Sequence, residues 1–135
     1  MFGDKVKKTL KKGLKFLEKE GFKLVEISRS DSKVSGFFYT ASYHSKKARC
    51  GVIVSYFPKF DSARASIENL DKEFNFSDSG AMKVPNPEYE LMQGEKEEKL
   101  ANYLASLQVE LLEKYKPILY GEKFENDAFD WSSYK

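Results

Sequence analysis

The most restrictive stretch of this chain lies near its end. From Glu95 onward, Leu100, Tyr103, Leu104, Leu107, Leu111, Leu112 and Tyr115 recur at intervals of mostly three and four, the spacing of a helix that is apolar along one face. Such a helix needs a second apolar layer to cover it. The pattern predicts a helix from residue 95 to about 116. Pro117 disfavours helical geometry at the residue before it, and Gly121 permits a turn, so "ILY" is expected to form a short capped continuation.

A second helix is legible at the other end. Asp4 suits an N-cap, Val6, Leu10, Leu14 and Leu17 share one face, and Gly21 supplies a stop. The expected helix covers residues 5 to 20. Burying each of those four side chains is worth about 1.5–3 kcal/mol, which outweighs the roughly 1 kcal/mol that Gly13 costs against Ala inside a helix.

Between the helices the period changes from three or four to two. "FKLVEIS" reads as a strand followed by the loop "SRSDSKVSG". "GFFYTASYH" sets Phe37, Tyr39, Ala41 and Tyr43 against Phe38, Thr40, Ser42 and His44. After a short "SKK" turn, "ARCGVIVSYF" alternates in the same way, so the two runs should pair as a hairpin. Pro58 and Asp61 mark another turn, and "ARASIENL" then reads as a fourth strand with one wet face. Residues 71–94 hold no sustained period and are expected to form a long surface loop. The fold class is therefore α+β: a four-stranded antiparallel meander with an N-terminal and a long C-terminal helix packed on it as two layers. Residues 1–135 are read as a single domain, with 122–135 as a tail.

Composition agrees with a folded chain. Of 135 residues, 41% are hydrophobic and 15% aromatic, enough for a core without staples. Cys50 is the sole cysteine and cannot form an internal disulfide; its place in an alternating strand suggests inert packing. The first residues lack the apolar segment of a secretory signal, and no stretch approaches the roughly 20 apolar residues of a membrane span, so a cytoplasmic location is expected. Net charge is +2, and the cations are 20 Lys against 3 Arg, a balance that does not favour nucleic-acid binding.

Several chemistries find no support. His44 is the only histidine, and no acidic pair brackets it or Cys50 at ligand spacing, so no metal is expected. The "SKK" turn would put His44 beside Ala48 or Arg49, where nothing would activate Cys50 as a nucleophile. The eight glycines are scattered singly, which argues against a phosphate-cradling loop. Glu95, Glu97 and Glu98 suit the first turn of a helix better than an acid/base pair. Neither catalytic residues nor cofactors are assigned.

Surfaces for binding are easier to find. Residues 4–20 carry seven lysines against three acids, a stripe that could meet phosphates or an anionic surface. "SGFFYTASY" has the aromatic density of a base-stacking strand but lacks the basic-glycine-aromatic order of the RNA-recognition motif. The tail sets Phe124, Phe129, Trp131 and Tyr134 among acids that include Asp130. Burying three of its aromatics is worth about 11–19 kcal/mol, and fixing about twelve residues costs on the order of 12–24 kcal/mol. The tail is thus expected to dock only in part, through Ile118, Leu119 and Phe124. Phe124, Phe129, Asp130, Trp131 and Tyr134 remain as candidate anchors for a protein partner.

With "EKEGFKLVE" closing the first helix, an aromatic meander, and "LLEKYKPILYGEKF" closing the last, the chain resembles small immunity proteins encoded beside bacterial polymorphic or contact-dependent toxins. That resemblance implies a non-enzymatic cytoplasmic protein that binds a cognate toxin domain and blocks its active site or access to substrate. Immunity proteins against nucleases are often acidic, and a net charge of +2 departs from that pattern. The alternative expectation is a binder of nucleic acid or anionic surfaces through the lysines of the first helix.

Overall fold

The computed structural model describes residues 2–34, 36–69, 81–84, 87–94 and 97–119. Helices α1 (Phe2–Gly13) and α2 (Phe16–Lys19) precede strands β1 (Lys23–Ser32), β2 (Gly36–Ser45), β3 (Cys50–Phe57), β4 (Ser62–Asn69) and β5 (Ala81–Val84). Helices α3 (Glu97–Lys114) and α4 (Lys116–Leu119) follow, and short 3-10 turns occupy Pro58–Phe60 and Tyr89–Leu91. The expected α+β class holds. The five strands run antiparallel in the order β1-β2-β3-β4-β5, so the meander has one strand more than expected.

The extra strand lies within the stretch expected to be loop. Val84 pairs with Ala65 and Met82 with Ile67, which adds a strand to the ladder beside β4, and Val84 is buried. Four residues are too few to show a period against a Gly- and Pro-rich background. Their conformation comes from the ladder groups that β4 would otherwise leave unpaired.

The first helix is also divided. Leu17 and Lys15 donate to the carbonyls of Leu14 and Lys12, three residues back, so the helix tightens between α1 and α2. All four predicted core positions, Val6, Leu10, Leu14 and Leu17, are nonetheless fully buried. At Gly21, which has φ +93, the Phe22 N–H bonds the Leu17 carbonyl and the Gly21 N–H bonds that of Glu18. These bonds form a Schellman ending, and buried Leu17 and Phe22 are its apolar pair.

Strand β1 runs beyond "FKLVEIS" to Ser32, because Ser30 pairs with Phe38 and Ser32 with Gly36. Polar composition gives way to pairing here, since serines fit a strand face that stays wet. A bulge at Val25 shifts the register between Leu24 and Glu26. It lets Leu24 and Ile27, three residues apart, lie opposite Tyr43 and Ala41 on the same face.

The hairpin between β2 and β3 closes at Ser45–Cys50 and leaves four residues in its loop. Ser45 Oγ accepts from the Ala48 N–H at 3.1 Å, and Arg49 takes a left-handed φ of 56. This wider loop sets His44 opposite Gly51, not beside Ala48 or Arg49.

The core lies on one side of the sheet. Tyr39, Ala41 and Tyr43 of β2, Cys50, Val52, Val54 and Tyr56 of β3, and Ala63, Ala65 and Ile67 of β4 are buried there with the apolar faces of α1 and α3. Helix α1 packs on α3 and β2, and a Cβ at Gly13 would stand 2.7 Å from Leu104 Cβ. Gly13 therefore permits a close helix crossing, which its helix propensity did not reveal. After a bend at Tyr115, α4 accommodates Pro117 in its first turn, where no N–H is needed, and buries Leu119. No helix among the described residues is long and apolar enough to cross a membrane.

Candidate functional site

Period-2 alternation leaves every second residue of the sheet on the face opposite the helices, and no described helix packs on that face. Its registered rows run Ser30–Phe38, Ser28–Thr40–Ser55–Arg64, Glu26–Ser42–Ile53–Ser66–Lys83 and Lys23–His44–Gly51–Glu68. The next position on β3, Phe57, pairs with Ser62. The face is thus rich in small hydroxyls. Phe38 and Phe57 stack on it with centroids 5.1 Å apart and planes 25° apart. The Arg64 guanidinium carbon lies 5.0 Å from the Phe57 centroid. Thr40 and Ser55 bring their hydroxyls to 3.5 Å.

At the other end of this face, His44 Nε2 stands 3.8 Å from Glu68 Oε2. Glycine at position 51 makes room, since a Cβ there would stand 2.8 Å from His44 Cδ2. Cys50 belongs to the opposite face, where burial pushes its thiol up to about 12. An inert Cys50 agrees with the sequence reading.

Under the helices lies a cluster of tyrosines. Tyr56 and Tyr103 approach Tyr89 with centroids 6.0 Å and 5.7 Å away. Tyr89 donates to Asp61 Oδ1 at 3.0 Å, Lys99 donates to Asp61 Oδ2 at 3.0 Å, and the Lys99 ammonium lies 4.7 Å from the Tyr89 ring centroid. Burial is the largest cause raising Tyr56, Tyr89 and Tyr103 above the ordinary tyrosine value; nearby Asp61 adds to it for Tyr56 and Tyr89, and Glu90 for Tyr103. Groups raised in this way exchange protons poorly near neutrality, so the cluster holds the 3-10 turns against α3 and is a weak candidate for acid/base work. The buried Tyr43 hydroxyl has no hydrogen-bond partner among the described residues, and burial followed by the charge of Glu18 raises it too. No group of three or more metal-ligating side chains occurs among the described residues.

The five predicted anchors, Phe124, Phe129, Asp130, Trp131 and Tyr134, all lie outside the described residues. Of the three side chains expected to dock the tail, Leu119 is buried. Lysines 5, 7, 8, 11, 12, 15 and 19 are all exposed, and Glu97 and Glu98 of α3 share a groove with Lys12. Sequence reading placed Phe38, Thr40, Ser42 and His44 on one face of their strand but did not bring Phe38 and Phe57 together. The pattern of small hydroxyls at alternate positions of β1, β2 and β4 was the available signal.

Compared with protein-family models, curated proteins and solved structures, the chain matches none.

Proposed function

We propose that this chain is a non-enzymatic protein-binding module whose contact surface is the sheet face opposite its described helices. The observation that carries the proposal is the Phe38–Phe57 stack, held with Arg64 on a face that no described helix covers. Aromatic and arginine side chains are the usual anchors of protein interfaces, and a rim of small hydroxyls can hydrogen-bond without obstructing approach. Strand and residue spacings give a footprint of roughly 20 by 27 Å, on the order of 550 Å². With its rim, that approaches the about 800 Å² per partner of a standard interface.

The resemblance to immunity proteins gives the proposal its most concrete form, in which the partner is a toxin domain neutralised by being bound. The test is affinity capture from lysate of the source, washed at high salt, with the native chain and a Phe38→Ser/Phe57→Ser variant side by side. One protein retained by the native chain and lost by the variant supports the face, and its identity decides the toxin assignment. Equal retention by both removes the face from the proposal.

The exposed lysines of α1 and α2 favour one second reading, a binder of nucleic acid or anionic surfaces. It requires affinity for duplex DNA or anionic vesicles that falls steeply with salt, and a flat salt response rejects it.

A further inference from the structure

We infer that the Phe57 corner of the open face receives an acidic segment of a protein partner, with Arg64 gripping a carboxylate. This rests on the proposal that the face is the contact surface. Arg64 lies over Phe57, which stacks on Phe38, so the cation is seated on an apolar platform. Among the described residues it has no carboxylate partner, whereas Arg29, the other arginine seated on a ring, is paired with Asp31 at 3.8 Å. The acid next to this corner, Asp61, is held by Lys99 and Tyr89. Asp61 is therefore engaged, while no described carboxylate pairs with Arg64.

A second cation reinforces the corner. The Lys59 stem lies beside Gly36, with Cδ 3.0 Å from where a Cβ would project, and its ammonium is 5.7 Å from the Phe60 ring centroid. Phe60 is 56% exposed, which adds apolar surface at the rim. Ser55 and Ser62 pair with Arg64 and Phe57 on the neighbouring strands and can hydrogen-bond to the same ligand. A guanidinium fork matches a planar carboxylate with two parallel bonds, and an adjoining aromatic or aliphatic side chain would fit the phenyl pair.

The charge pattern favours an acidic protein segment over nucleic acid. Glu26 and Glu68 lie farther along the same face, so a phosphate backbone following the sheet would meet two carboxylates. A loop or peptide ending at the corner meets Arg64 and Lys59, and the acid beside them, Asp61, is already engaged by Lys99 and Tyr89.

The experiment is selection of a random-peptide phage library on the full chain. Binding of enriched peptides is then measured to the native chain, Arg64→Gln, and Phe38→Ser/Phe57→Ser, with circular dichroism to confirm folding. Enriched peptides should carry Asp or Glu beside Phe, Trp or Leu and lose at least about tenfold in affinity on Arg64→Gln. Peptides lost only on the double substitution, or lacking acids, overturn the carboxylate assignment but leave the face as the binding surface. Peptides indifferent to all substitutions overturn both proposals. An empty selection overturns the acidic-segment inference. So does tighter binding of single-stranded oligothymidine at the same residues, or a dimer in sedimentation that the double substitution dissolves.

Discussion

The imidazole of His44 reaches over Gly51 of the central strand to within 3.8 Å of the Glu68 carboxylate, two strands away. A Cβ at position 51 would stand 2.8 Å from His44 Cδ2 and 3.1 Å from the Tyr43 carbonyl oxygen. Gly51→Ala should therefore displace the ring and cost about 1–3 kcal/mol, as overpacking does elsewhere. Urea unfolding reads the stability, and the His44 ring resonances read the displacement. Unchanged values for both would show that glycine is dispensable there.

Helix propensity predicts that Gly13→Ala stabilises α1 by about 1 kcal/mol, and packing predicts the reverse. The added carbon would lie inside the contact distance of Leu104, so a loss of about 1–3 kcal/mol is expected. A companion Leu104→Ala change removes the Cγ and Cδ contacts but keeps the Cβ 2.7 Å away, so it should recover only part of the loss, and a double-mutant cycle in urea should show the coupling.

Asp61 combines a left-handed φ of 46 with acceptance of both the Tyr89 hydroxyl and the Lys99 ammonium. Asp61→Gly keeps the backbone conformation accessible but leaves a buried hydroxyl without that acceptor, at a cost of about 1–3 kcal/mol. Adding Tyr89→Phe should recover much of that loss. Asp61→Ala should lose about 1–2 kcal/mol more, because it restores the steric cost of positive φ.

Tyr43, Tyr56, Tyr89 and Tyr103 are all raised above the ordinary value of 10.0, with burial as the largest cause. Their unfolded forms release protons first as pH rises, so their contribution is complete below pH 10 and falls away above it. Stability should decline steeply in alkali, and the phenolate absorbance of these four should appear together with unfolding. Cys50, raised by burial to about 12, should likewise ignore thiol reagents until the chain unfolds. Rapid labelling of native protein would contradict its buried position.

Where one element's own period was long enough, its place could be read directly. The stripe of α3 and the alternation of β2, β3 and β4 all gave the observed inward residues, including Leu100, Tyr103, Leu104, Leu107 and Leu111. What escaped was decided between elements. Met82 and Val84 become strand residues only because β4 offers a free edge, and Gly13 has meaning only beside Leu104. The stacked phenylalanines depend on the register of two strands, and that register turned on a hydrogen bond from Ala48 to Ser45 inside the connecting loop.

The bulge at Val25 bears on how the molecule behaves in company. Among the described strands β1 is an outer one, ten residues long, and a straight strand of that length would offer a template on which other chains could extend the sheet. The extra residue kinks that margin and turns a half-exposed valine outward. Removing Val25 would leave Leu24 and Ile27 in strict alternation, so the fold should survive the deletion. The shortened chain would then have a smoother border and a greater tendency to polymerise on storage, so the odd residue protects solubility at the expense of a regular ladder.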